Sequence, residues 1–184
     1  MSENRGRMLI AKQKRSENIS EYILYMWQLE DILRACRLDI AVVKTALIDK
    51  FDQPESVKTE MKEWYENLIE MMHVEKIEEK GHLQIVKNIV SDANSLHLEL
   101  LQEPKEIQYN ALFFKTLPFL VDFRKKLGAG AEVDDVELSL DALYGILMLR
   151  LQKKEITEDT QAAVKQISQF LAVLSAKYKE AENE

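Results

Sequence analysis

Residues 17–38 read ENISEYILYMWQLEDILRACRL, and this stretch decides the fold class. On a 3.6-residue wheel Ile19, Tyr22, Met26, Leu29, Ile32 and Leu33 form one broad apolar stripe, while Ile23, Leu24 and Trp27 fall on the other side. A helix apolar over more than one face packs against neighbours on several sides. Glu17, Glu21 and Gln28 fall within roughly 40° of one another on the same wheel. The segment therefore predicts a central helix carrying a narrow polar line, and a buried carboxylate needs a partner.

Working outward, the whole chain has the composition of helices. Its 184 residues include only five Gly and three Pro, and the hydrophobic and charged fractions are 46% and 31%. These values fit a globular chain with a core of its own rather than a disordered one. The single Cys36 excludes an intramolecular disulfide and sits inside an apolar helical pattern, where an inert thiol is expected. No secretory leader is visible in MSENRGRMLIAKQKR, and the apolar run at 142–149 is far short of the ~20 residues a membrane span needs. The sequence points to a cytoplasmic protein. A net charge of −7 argues against general nucleic-acid affinity. Arg5, Arg7, Lys12, Lys14 and Arg15 make a local basic arm, read as a solvated helix start; the alternative is a weak contact to phosphate or to an acidic partner.

Breakers and caps divide the chain into helices. The first is expected over 11–36, followed by a turn at Arg37–Asp39 and a short helix over 40–51 capped by Asp39. Pro54, near N1, opens a third helix that runs to Lys80, with Gly81 as its C-cap. Further helices are expected over 82–102, 105–127, 134–153 and, capped by Thr157, over 158–179. No hairpin turn or sustained period-two pattern suggests a strand. The sum is an all-α, single-domain bundle of six or seven mostly antiparallel helices over 1–184. Residues 1–10 form the basic arm and 180–184 an acidic tail, both frayed. Two breakers lie inside helices: Pro118 should kink its helix, and Gly145 should allow close approach of a neighbour such as Trp27.

Candidate chemistry is sparse. The first and sixth expected helices are natural partners at the centre, and Arg150 stands in the otherwise apolar run 143–151. It is expected to pair with Glu17, Glu21 or Glu30, either as a specificity device in the core or as part of a ligand site formed by Glu17, Glu21, Tyr25, Gln28 and Arg150. Glu70 and His73 form a Glu-x-x-His pair of the type used in di-metal bundles. Without a clear second pair the metal reading is weak, and no cofactor is expected. Tyr109, Phe113, Phe114, Phe119 and Phe123 crowd the Pro118 helix, as core or as the walls of a pocket at the kink. Met61, Trp64, Tyr65, Leu68, Met71 and Met72 give the third helix an apolar face able to hold a second copy or a partner helix. No nucleophile elbow, Walker loop or dinucleotide glycine fingerprint occurs.

The segments ENISEYILYMWQLEDILR, LYGILMLRL and ITEDTQAAVKQISQFLAVLSAKY resemble a family of uncharacterised bacterial all-helical proteins, a domain of unknown function, over nearly the whole chain. The resemblance implies a bacterial, soluble, single-domain protein and brings no activity, ligand or functional residue with it. The leading expectation is a non-enzymatic interaction protein, a homodimer or a partner of another protein. The alternative is a bundle binding a small ligand or metal between the first and sixth helices.

Overall fold

The computed structural model describes residues 7–128 and 133–183, and every regular element among them is helical. Eight α-helices follow in order: α1 (Arg7–Glu17), α2 (Ile19–Ala35), α3 (Ile40–Val43), α4 (Glu55–Val74), α5 (Gln84–Gln102), α6 (Ile107–Leu127), α7 (Asp135–Leu151) and α8 (Glu158–Glu182). A π-helical turn, Lys44–Ile48, continues α3. The chain divides into two compact units, the first ending at Asn88 and the second beginning at Ile89, inside α5.

The count is eight rather than six or seven because the long first helix is broken. Asn18 adopts an extended conformation (φ −153°, ψ 106°) and its side chain accepts from the Glu21 backbone N–H. That bond satisfies one of the free donors at a helix start, so α2 begins anew with Asn18 alone between it and α1. The expected arm and tail are also partly helical, since α1 starts at Arg7 and α8 reaches Glu182; Arg5 lies outside the described residues.

Helix α4 stops at Val74 instead of Lys80. The Lys76 N–H bonds to the His73 carbonyl and the Ile77 N–H to the Met72 carbonyl, with Lys76 left-handed at φ 57°. This is a Schellman motif. The same pattern ends α2 at Arg37 and α7 at Lys153. Three helix ends thus place a basic residue where glycine is the usual signal. Gly81, expected as the cap, instead sits in the irregular connection after α4 with φ 99°. Pro54 occupies the N-cap of α4 rather than N1.

In the first unit α1 packs against α2 and α4, and α3 with its π-turn packs against α4. Its buried residues include Ile23, Met26, Trp27, Leu29 and Leu33 of α2 and Met61, Tyr65, Leu68 and Met72 of α4. The broad burial of α2 follows from its apolar wheel, and Cys36 is a buried free thiol. In the second unit α6, α7 and α8 pack against one another, with Tyr109, Phe113, Leu120, Leu138, Leu140, Phe170 and Leu174 buried. Helix α6 runs on through Pro118, which is exposed. The close approach expected at Gly145 is absent: the residue is exposed, and a Cβ there would meet nothing within 4 Å.

Candidate functional site

The polar line expected inside α2 is not inside. Breaking the helix at Asn18 puts Glu17 in the last turn of α1 and Glu21 in the first turn of α2, and both are exposed. Glu17 accepts from Gln13 Nε2 at 3.0 Å, and Glu21 pairs with Lys14 at 2.6 Å. Tyr25 and Gln28 are half-buried, and Arg150, in the second unit, is exposed.

The buried carboxylate of α2 is Glu30, 1% exposed. It lies in one stripe with Ile23, Met26, Trp27 and Leu33. Glu30 Oε2 accepts from His82 Nδ1 at 2.6 Å, and Oε1 accepts from the Leu83 N–H at 3.0 Å. The His82 ring stacks on Trp27, with centroids 4.3 Å apart and planes 18° apart. One turn further, Arg34 Nε and Nη2 both donate to the Ile77 carbonyl, at 3.2 and 3.1 Å; Nη2 also reaches the Gly81 carbonyl, and Nη1 pairs with Asp31 at 2.8 Å. Glu75 Oε2 accepts from the Gln84 N–H at 2.7 Å. Two carboxylates therefore meet the amide of Leu83, just before α5, and that of Gln84, its first residue, where the helix dipole favours negative charge. A carboxylate-held imidazole can serve as a general base. Here the second oxygen of the carboxylate and the neighbouring guanidinium are engaged with the backbone of 77–83, so the group acts first as a clamp on that connection. Glu30 was a candidate partner for Arg150; its observed partner is His82. The available signal was its position one helical turn from both Met26 and Leu33, in the middle of the buried stripe.

The second unit holds a different pair. His97 is fully buried; its Nδ1 and the Tyr109 hydroxyl share a hydrogen bond of 2.7 Å, and its Nε2 has no hydrogen-bond partner among the described residues. Phe113 and Phe170 meet the imidazole edge-on at 4.5 and 5.3 Å. Burial pushes the His97 pKa down, against the opposing charges of Asp135 and Asp134, and pushes the Tyr109 phenol up. Both groups are therefore neutral near pH 7.

The proposed metal residues do not form a centre. Glu70 and His73 are exposed, and His73 Nδ1 lies 3.4 Å from Glu78 rather than being engaged with Glu70. Among the described residues no cluster of three or more His, Cys, Asp or Glu could hold a metal ion. No helix among them is long and apolar enough to cross a membrane.

Two concavities and one apolar face stand out among the described residues. A cavity of about 270 Å³ in the first unit lies among α1, α2, α4 and the start of α5. A groove of about 420 Å³ in the second is walled by Phe119, Phe123, Ala142, Ile146, Val164 and Ile167, with Asp122, Lys126 and Asp159 also lining it. Two of the crowded aromatics thus line a groove, two (Tyr109 and Phe113) are core, and Phe114 is 64% exposed. On α6, Ile107, Phe114 and Val121 are 73%, 64% and 41% exposed, seven residues apart, with exposed Ala111 and Pro118 between them. That is a heptad seam facing solvent.

No curated protein and no solved structure matches the chain in sequence or fold comparison. A family model does match, over residues 8–184, and on that match the chain belongs to the family described as a domain of unknown function, DUF4924.

Proposed function

We propose that the protein is a non-enzymatic association module whose second unit pairs with a second copy of itself through the exposed face of α6. The observation that carries this reading is the seam Ile107, Ala111, Phe114, Pro118 and Val121. Apolar residues at alternating spacings of four and three are the pattern by which helices pair, and an exposed Phe and Ile in one row mark a face that burial would stabilise. The charges flanking the seam favour a second copy. Lys115 and Asp122 are both exposed, beside the seam and seven residues apart. Two α6 helices run antiparallel about a two-fold axis would set Lys115 of each copy opposite Asp122 of the other. The contact of Asp122 with Lys125 within the helix is 3.8 Å long and solvated, and competes weakly.

Light scattering across a concentration series tests the proposal. A dimer is expected, and Phe114→Glu should give a monomer with unchanged helicity, because the position is exposed. Lys115→Glu should weaken the dimer, and Lys115→Glu with Asp122→Lys should restore it. A monomer at all concentrations, or no restoration by the double exchange, refutes the antiparallel pairing. The match of one family model across residues 8–184 supports treating them as one evolutionary domain. The buried free thiol supports a reducing, cytoplasmic setting.

A further inference from the structure

We propose that His97 is a proton-operated latch: its neutral ring holds residues 89–102 of α5 onto α6 and α8, and its protonation releases that segment and bares the aromatic cluster beneath it. The proposal does not rest on the α6 seam. The first observation is how the segment is held. Helices α6, α7 and α8 pack closely on one another, and residues 89–102 approach none of them as closely. Within the segment only Val90, Ala93 and His97 are buried, at the spacing of one helix face. The imidazole is the largest of the three. It stands edge-on to Phe113 and Phe170 and is bonded to Tyr109, and Phe170 in turn meets both Tyr109 and Phe113, at 6.1 and 5.4 Å. Nearer the turn, Asn110 Nδ2 donates to the Leu100 carbonyl at 3.2 Å, a neutral tether. The second observation is Nε2. A neutral imidazole has one donor and one acceptor nitrogen. The Tyr109 hydroxyl satisfies Nδ1, and Nε2 has no partner among the described residues. Protonation makes both nitrogens donors, so the Tyr109 hydroxyl must turn to accept, and Nε2 becomes a buried donor of a charged ring with no acceptor.

The surrounding charges fix the direction of the response. Asp135 and Asp134, at the start of α7, attract the proton, yet burial prevails and holds the ring below its ordinary pKa of 6.5. Both carboxylates are engaged elsewhere: Asp134 accepts the Glu137 N–H, and Arg124 donates to Asp135 at 3.1 Å. From α6 the ring meets Tyr109, which feels the charge of Glu106; Lys177 of α8 pairs with that carboxylate at 2.7 Å. Asp92 and Glu99, on the same helix as His97, are exposed. A released ring regains its ordinary pKa, so opening takes up a proton. Opening is therefore least favoured above about pH 6.5 and becomes easier below it, by at most about tenfold per pH unit. Hydrogen exchange of the full chain from about pH 7.5 to 5, corrected for the intrinsic rate, reads this directly. Protection of residues 93–101 should fall by up to about tenfold per pH unit below about pH 6.5, while that of residues 138–142 in α7 stays level. In the unaltered protein, the NMR signals of the Phe113 and Phe170 rings should move in step with protonation of His97. Tyr109→Phe with His97→Phe should abolish the fall in protection. No fall, an equal fall in α7, or a fall that survives in a double variant of normal helicity would each overturn the proposal. So would a His97 ring that titrates while the Phe113 and Phe170 signals stay still, a result that needs no variant to fold.

Discussion

In the first unit His82 is held by the carboxylate of Glu30 at 2.6 Å, and the same carboxylate holds the backbone of Leu83. In the second, the one hydrogen-bond partner of the His97 ring among the described residues is the neutral hydroxyl of Tyr109, inside a shell of aromatic rings. The difference follows from what each histidine is packed beside. Residues 75–83 connect α4 to α5 without regular structure, so their amide and carbonyl groups need partners from outside. Glu30 and Arg34 supply them with an acceptor and a donor fork. His97 lies within a helix whose backbone is already bonded, and its side chain has only itself to satisfy. A charged anchor suits the first setting, and a neutral pair the second.

Removing the anchor should have the largest effect. Glu30→Ala strands the buried Leu83 N–H and takes the partner from the half-buried His82 ring, and should destabilise the protein by about 3 kcal/mol in urea unfolding. Glu30→Gln keeps one acceptor oxygen and should cost about half as much. Equal losses from the two variants would mean that the negative charge, not the acceptor geometry, holds the connection. In the second unit Tyr109→Phe should cost about 1–2 kcal/mol, since it leaves His97 without its one recorded bond, whereas Tyr109→Phe with His97→Phe should recover most of that loss. The pair also makes a pH prediction. Burial holds the folded His97 pKa below its ordinary 6.5, so the unfolded chain takes up the proton first. The stabilising contribution is then complete above about pH 6.5 and declines as pH falls, by at most about 1.4 kcal/mol per pH unit. Unfolding curves compared at several pH values should show this slope in the parent and its loss in the double variant. A slope that survives in the double variant would assign it to other groups.

The same contrast shows what the sequence could reveal. Asp39 and Thr157 were legible as caps because a short polar side chain before an apolar run has one good use there, and both accept the predicted backbone bonds. The all-helical class and the deep burial of α2 followed from its wheel. Asn18 was not legible as a break, because the apolar periodicity continues across it and hides a capping pattern with Glu21 three residues on. Glu30 was named only as one of three possible partners of Arg150, and its pairing with His82 and Leu83 was not legible for a related reason: exposed and buried carboxylates on one helix look alike until the neighbouring connection is placed. Gly145 illustrates the opposite error. A glycine inside an apolar helix suggested a close neighbour, but the space beside it is open. Gly145→Ala should therefore stabilise the protein by about 1 kcal/mol, a gain read directly in the unfolding midpoint. A loss would reveal a neighbour that the geometry does not contain.

The smallest effects test whether the clamp imposes the shape of its own connection. Lys76 and Lys153 both occupy left-handed positions at helix ends, with φ 57° and 56°. Only Lys76 precedes residues held by Glu30 and Arg34. Glycine relieves the steric penalty of such a position, about 1 kcal/mol, but adds freedom to the unfolded chain, so each Lys→Gly exchange should gain about 0.5 kcal/mol. Equal gains at the two sites would show that the left-handed turn at Lys76 is a property of the helix end alone, formed by its own Schellman bonds. If Glu30 instead forces the turn, Lys76→Gly should gain more than Lys153→Gly, and the excess should vanish in the Glu30→Ala background. That thermodynamic cycle separates a turn the clamp imposes from one the clamp merely accepts.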